Sequence, residues 1–243
     1  MDIFSMQIRS AAHTDIGRVR RENEDRFLCD DVLQLYGVAD GIGGLPGGAE
    51  AAQQAVTLLR DEIAMVNGDS MPDLAYVTHR VNESVAALGM RLSPQYGIGT
   101  TLTFGLVRDA FLHLAHVGDS RCYLLRSGRL SSLTTDHTVE NDMRRRREAG
   151  EFVLFDISQG KSLTRCIGQG PELVVDTDRH ELRPDDRVLF CSDGIDKVID
   201  EPELAEYLSR GDDPDSILKE IVNEANDRGG SDNATGVMLI VKE

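Results

Sequence analysis

Val38-Ala39-Asp40-Gly41-Ile42-Gly43-Gly44, with a second glycine pair at Gly47-Gly48, decides how the rest of the chain is read. An apolar run (Leu33, Leu35, Tyr36, Val38) stops at a carboxylate, glycines follow, and an alanine-rich amphipathic run begins. This pattern predicts a buried strand that delivers Asp40 to a sharp bend. Glycine directly after it lets the main chain, including the Gly41 carbonyl, approach whatever Asp40 holds. A capping Asp in a strand-to-helix turn leaves the same trace, so the stretch alone does not separate turn from site. Other Asp residues in similar settings tip the balance.

Toward the N-terminus, Gln7 to Thr14 alternates as a strand, and Arg26 to Cys29 and Gln34 to Ala39 pair as a hairpin around Asp30-Asp31. Toward the C-terminus, Ala51, Ala52, Ala55, Val56, Leu59 and Ile63 recur at helical spacing from Gly48 to about Val66, and Gly68 closes that helix. Ser70 or Asp73 caps a second helix to about Met90, with Leu74, Val77, Val81, Val85 and Leu88 on one face. The period then changes. Gly99 to Val107, Ala110 to Val117 and Arg121 to Leu125 read as consecutive antiparallel strands, with a turn at Ser127-Gly128. Leu173 to Leu182 and Arg187 to Cys191 are strands joined by Pro184-Asp185-Asp186; helices at Glu203 to Leu208 and Asp215 to Asn226 and a last strand, Thr235 to Val241, follow.

Helices that come in pairs, not one after each strand, argue against a doubly wound parallel sheet. The predicted fold class is α+β, with antiparallel sheets covered by helix pairs. No repeat or linker divides the 243 residues, so one domain, 1–243, is expected. Its least regular part, 136–170, carries the charged helical run Glu140 to Glu151 and reads as a flap-like surface insertion.

A formal net charge of −16 disfavours a nucleic-acid partner and suits either a solvated acidic surface or carboxylates gathered around divalent cations. No run approaches the length of a membrane span, and Met1 to Arg9 is too short an apolar stretch for a signal peptide, so a cytoplasmic location is expected. Cys29, Cys122, Cys166 and Cys191 are scattered and read as small buried hydrophobes, not a zinc site or disulfide frame.

Asp40, Asp119 in His-Val-Gly-Asp-Ser-Arg, Asp193 in Phe-Cys-Ser-Asp-Gly and Asp232 in Gly-Gly-Ser-Asp-Asn-Ala-Thr before the final strand share one design, an apolar strand ending in Asp followed by a small or polar residue. Glu24-Asp25 precedes another strand. Each Asp alone reads as a turn residue; four in one pattern favour a metal site. Carboxylates brought together repel unless cations neutralise them, and hard oxygen donors without His or Cys select Mg²⁺ or Mn²⁺. Two such ions activate water and clamp a phosphoryl group. The glycine loop at Gly41 to Gly48 lacks the following Lys-Ser or Lys-Thr of a nucleotide cradle, and the Gly-x-Ser-x-Gly elbow of a serine hydrolase is absent.

Gly17-Arg18-Val19-Arg20-Arg21-Glu22-Asn23-Glu24-Asp25 resembles the first motif of the metal-dependent Ser/Thr protein phosphatases of type 2C, and Val38 to Gly44 their second. Gly99-Thr100-Thr101, His116-Val117-Gly118-Asp119-Ser120-Arg121, Leu133-Thr134-Thr135-Asp136-His137, Leu189-Phe190-Cys191-Ser192-Asp193-Gly194 and Ser231-Asp232-Asn233-Ala234-Thr235 follow in the family's order, over almost the whole chain. The resemblance implies a sandwich of two antiparallel sheets flanked by helix pairs, with the metal centre at one end. It implies that Asp40 bridges two Mn²⁺ or Mg²⁺ ions, the Gly41 carbonyl binds one, and Asp193 and Asp232 bind the other. Asp119 and Asp193 would take a third ion seen in bacterial members. Arg20 stands at the phosphate-binding arginine, Glu24 and Asp25 orient water from behind the ligands, and Asn233 steadies Asp232.

The implied activity is hydrolysis of phosphoserine and phosphothreonine on proteins, by direct attack of water, opposing a bacterial Ser/Thr kinase; a monomer is expected. A small-ester hydrolase and a phosphoprotein-binding module without turnover are the alternatives. Two features depart from the pattern. Ile42 stands where eukaryotic members often carry a His proposed as general acid. The run Arg144-Arg145-Arg146-Arg147 is either the polar face of a charged helix or a dock for acidic substrates.

Overall fold

Residues 6–43, 47–66, 70–170, 172–211 and 213–243 are described by a computed structural model. Gly44 and Gly68, to which the sequence assigns a glycine turn and a helix end, lie outside them.

Strands β1 (Gln7–Asp15), β2 (Asp25–Asp30) and β3 (Leu35–Asp40) open the chain. Helices α1 (Gly48–Ala64) and α2 (Leu74–Leu92) follow. Next come β4 (Leu102–Arg108), β5 (Phe111–Val117), β6 (Arg121–Arg126) and β7 (Arg129–Ser132), then helix α3 (Val139–Glu148). The C-terminal part holds β8 (Asp176–Glu181), β9 (Arg187–Cys191), α4 (Asp193–Asp196), α5 (Glu201–Leu208), α6 (Pro214–Asp227) and β10 (Ala234–Lys242). Among the described residues the strands form two five-stranded sheets, β1-β10-β9-β6-β7 and β2-β3-β4-β5-β8, antiparallel throughout.

Alternation along the strands explains the layers. In β10, Val237, Leu239 and Val241 face the other sheet, where they meet Val38 and Leu114 beside Phe190 of their own sheet, while Met238 and Ile240 join Leu218, Ile221 and Val222 of α6. In β4, Phe104 and Leu106 pack with Ala51, Ala55 and Leu59 of α1 and Val81 of α2. Both sheets are thus covered on one face by helices and on the other by each other, a four-layered α-β-β-α sandwich. Each fully buried Leu or Val in these layers contributes about 1.5–3 kcal/mol.

Several sequence expectations are corrected. β7 follows the Ser127-Gly128 turn but Arg-Leu-Ser-Ser has no apolar alternation, so it was not anticipated. β8 is shorter than Leu173 to Leu182, because Leu173 turns into the helix-side core before the ladder begins. Asp73, not Ser70, caps α2, accepting from the Tyr76 N–H at 3.1 Å. The strand-end design holds for Asp40. Asp119 lies in the β5–β6 turn, Asp193 opens α4 and Asp232 precedes β10. All four cysteines are free thiols; Cys122 and Cys191 are buried and Cys29 and Cys166 are partly so.

Candidate metal centre

Asp25 and Asp40 are cross-strand partners at the same end of the β2–β3 hairpin. Asp40 continues the alternation of Tyr36 and Val38, whose side chains belong to the inter-sheet core, so the hairpin carries both carboxylates to the end of that core. The opposite sheet meets them there. Ser192, at the end of β9, donates its hydroxyl to Asp25 Oδ2 at 2.7 Å and itself accepts from the Thr235 N–H at 3.1 Å. Asp25 is buried, and its Oδ1 has no hydrogen-bond partner.

Two threonines hold the Asp40 backbone. The Thr100 hydroxyl and Thr101 N–H both donate to the Asp40 carbonyl at 2.8 Å, and the Asp40 N–H donates to Thr101 Oγ1 at 2.9 Å. Glycine is required next for closeness. A Cβ on Gly41 would lie 2.5 Å from the Gly48 carbonyl and 2.9 Å from that of Glu24, and one on Gly194 would lie 1.9 Å from the Asn233 carbonyl.

Asn233 ties the N-terminal loop to this end. Its amide donates to the carbonyls of Ile16 at 2.9 Å and Glu22 at 3.1 Å, its side-chain oxygen accepts from the Glu24 N–H at 2.8 Å, and its own N–H donates to Asp232 Oδ1 at 2.9 Å. Arg20 bridges outward: its Nη2 donates to Asp232 Oδ2 at 2.7 Å, and its Nη1 would lie 2.6 Å from a Cβ on Gly43. On the far side, Lys197 Nζ contacts Asp193 Oδ2 and lies 3.6 Å from Asp119 Oδ2.

These groups strain one another electrostatically. Burial and then the charges of Asp25, Asp193, Asp119 and Asp232 push the Asp40 carboxyl well above the ordinary range. Burial, against hydrogen bonds from Thr235 and Ser192, raises Asp25 to about 6. Burial and the Asp193 charge, against Lys197, raise Asp119 to about 6. Burial works against the charged form of Arg20, but Asp232, Glu24 and Asp40 together raise its pKa.

The sequence model of the protein phosphatase 2C family matches residues 10–234. The chain belongs to the protein phosphatase 2C family. It is 31% identical over 238 residues to the serine/threonine phosphatase stp of Listeria monocytogenes, covering 95% of this chain and 94% of the relative. PppA, described as a key regulatory component of T6SS in Pseudomonas aeruginosa, superposes with a TM-score of 0.84 at 29% identity, covering 96% and 97% of the two chains. A PstP catalytic domain in complex with 2 manganese ions superposes with a TM-score of 0.84 at 30% identity, covering 98% and 100%. The protein is accordingly a metal-dependent protein serine/threonine phosphatase.

The donors of this type 2C phosphatase suit hard divalent cations. Asp25, Asp193, Asp119 and Asp232 set negative charge around Asp40, and the unpartnered Asp25 Oδ1 is an oxygen acceptor with nothing to accept from. Among the described residues no three His, Cys, Asp or Glu side chains are drawn together as a ready-made cage. The repulsion is nonetheless felt, because charges several ångströms apart still interact strongly in a poorly solvated site.

Glu24 lies against α1, its Oε1 2.6 Å from where a Cβ on Gly48 would be. Ile42 donates its N–H to the Gly99 carbonyl at 2.9 Å, and its Cδ1 would lie 2.8 Å from a Cβ on Gly99; it is a packing residue. The four arginines lie on exposed α3, where Arg146 pairs with Glu151 at 2.7 Å and Arg147 stands 5.3 Å from the centre of the Phe155 ring.

Sequence reasoning gave three of the neighbouring groups no role. Arg121 grips Asp136 with two bonds of 2.7 Å and reaches Asp196 at 3.1 Å, strapping β6 to the base of segment 136–170 and to α4. His137 accepts from the Gly118 N–H at 3.1 Å and so fixes the turn that carries Asp119. Lys197 was missed altogether, although its spacing of four from Asp193 is a readable helical ion-pair signal.

Proposed function

We propose that Asp40, the Gly41 carbonyl, Asp193 and Asp232 would hold the divalent ions of this phosphatase, and that Arg20 receives the phosphate of a phosphoserine or phosphothreonine side chain. The observation that carries the reading is the pairing of buried Asp25 with half-buried Asp40 as cross-strand partners at the end of the inter-sheet core, where the other sheet contributes Ser192 and Thr235. Bound Mn²⁺ or Mg²⁺ supplies Lewis acidity toward the phosphoryl oxygens and lowers the pKa of water.

The chain's own groups do the rest. Thr100 and Thr101 fix the Asp40 backbone, so the carboxylate is placed before substrate arrives. Arg20, restrained through Asp232 yet partly exposed, offers its remaining N–H donors to phosphate oxygens. Asp25, with one oxygen fixed by Ser192 and the other unpartnered, is suited to accept a hydrogen bond from water entering the cleft. Glu24 stands near Arg20 and orients water from the α1 side. Ile42 moves no proton, so the leaving group takes its proton from elsewhere.

The reading extends to the chain as a whole: a monomer of one catalytic domain acting in the cytoplasm against a cognate Ser/Thr kinase, with 136–170 as a substrate-facing flap. No helix among the described residues is long and apolar enough to cross a membrane. The deciding experiment is Mn²⁺-dependent release of phosphate from a phosphothreonine peptide, with chelator as control and Asp40→Asn and Asp193→Asn alongside. Hydrolysis lost in chelator and in both variants supports the assignment. Undiminished turnover in either variant removes that residue from the centre, and free phosphate esters cleaved better than the peptide redirect the substrate class.

A further inference from the structure

The expected place for a third cation lies between Asp119 and Asp193, and in this chain a side chain is already there. Asp193 opens the single turn of α4, and Lys197 is the residue that closes it. A spacing of four brings the lysine stem back along the turn, and its Nζ reaches Asp193 Oδ2 in the same helix and Asp119 Oδ2, 3.6 Å away, on the other side.

This is not an ordinary surface ion pair. The side chains of Asp119 and Asp193 are only 10% and 14% exposed, against 39% for Lys197. Removing the lysine would leave two largely dehydrated carboxylates without a counter-charge, so it is held more firmly than in an exposed pair. The Asp119 end is also fixed, because Gly118 adopts φ 116° and donates its N–H to His137, and Asp119 does not swing away to separate the two.

Resting on the reading of Asp119 and Asp193 as metal-site carboxylates, we infer that the Lys197 ammonium is a resident cation that takes the third metal's place, so that the chain binds two divalent ions and not three. A divalent ion shared by both carboxylates would need oxygens at about 2.0–2.2 Å in the space the ammonium reaches, and would stand against its positive charge. Binding there requires Lys197 to give up both partners and turn to solvent. The protein thereby has a fixed single charge, independent of metal concentration, where an exchangeable double charge would otherwise act.

Equilibrium dialysis of the full chain against Mn²⁺ tests this without reference to turnover. Wild type is expected to saturate with two ions per chain. Lys197→Met, which keeps the aliphatic stem and loses the charge, and Lys197→Ala are expected to gain a third, weaker ion, while Lys197→Arg stays at two. Thermal melts of each variant establish that the fold is kept, and the Met and Ala variants serve as replacements for one another. Three ions on wild type, or two on all four proteins, overturn the role of Lys197 and leave the two-metal centre standing. No bound ion on folded wild type overturns the metal-ligand assignment and this inference with it.

Discussion

On one side of the Gly118-Asp119 turn lies a pair of histidines, and on the other a group of aspartates, both withdrawn from water. The histidines are satisfied. His137 Nδ1 accepts from the Gly118 N–H at 3.1 Å and its Nε2 meets Asp176 Oδ2 at 3.1 Å, with Arg165 donating to the other Asp176 oxygen at 2.7 Å. His116 meets Thr103 Oγ1 at 2.8 Å and the Thr135 carbonyl at 3.1 Å, and the two rings stand 4.6 Å apart. Two of the aspartates are not satisfied: Asp25 keeps an unpartnered oxygen, and Asp40 carries four other carboxylates in its field, while Asp232, Asp193 and Asp119 are met by Arg20 or Lys197. Hydrogen-bond saturation marks polar groups kept for stability, and its absence marks groups kept for something that arrives from outside.

The two regions respond to protons with opposite sign. Burial and the neighbouring His137 depress His116 to about 4, so its contribution to stability is complete above the ordinary histidine range near 6.5 and is lost as pH falls through about 4. Asp25 and Asp119, raised to about 6, contribute fully below the ordinary aspartate range near 3.8 and lose that contribution as pH rises through about 6. Each such carboxyl costs on the order of 2–3 kcal/mol when ionised with no metal bound.

Substitutions break the comparison from either side. The largest effect is expected from Asp40→Asn, which should lower Mn²⁺-dependent kcat on a phosphothreonine peptide by about 1000-fold or more while raising the melting temperature in chelator. A lower melting temperature would mean that Asp40 belongs with the stabilising groups. His137→Ala should act the other way, losing about 2–4 kcal/mol in urea unfolding because the Gly118 N–H and Asp176 lose a buried partner. Arg20→Lys should lower kcat/KM on the peptide about 10–100-fold through loss of the planar fork, with stability held within about 1 kcal/mol. The smallest effect belongs to α3: replacing Arg144 through Arg147 with Ala should raise KM a few-fold on a phosphoprotein and leave a small aryl phosphate unaffected. Equal effects on both substrates would make the arginines a solvated helix face.

The same contrast governs what was legible in the sequence. Strand patterning and paired helices reveal antiparallel sheets under helix pairs, and a strand buried on both faces shows as a continuous apolar run, Val237 to Val241; the face-to-face sandwich came from the family resemblance. Asp40 was legible as a carboxylate where burial ends, and the ordered motifs carried Asp119, Asp193 and Asp232. The satisfied groups were harder to read. His116 and His137 look like unremarkable residues in strand and loop, since their partners are 13 or more positions away and half are backbone atoms. Lys197 could be read as the partner of Asp193 from helical spacing, but its second partner, Asp119, comes from another strand connection and has no local trace.

Thermal unfolding across pH, with chelator and with Mn²⁺, tests the account most directly. If the aspartates are kept unsatisfied for cations, the melting temperature in chelator falls between pH 5 and pH 7.5 relative to that of Asp40→Asn, and Mn²⁺ stabilises wild type more at pH 7.5 than at pH 5. A stabilisation by Mn²⁺ that is equal at the two pH values, or equal in Asp40→Asn and wild type, would contradict it.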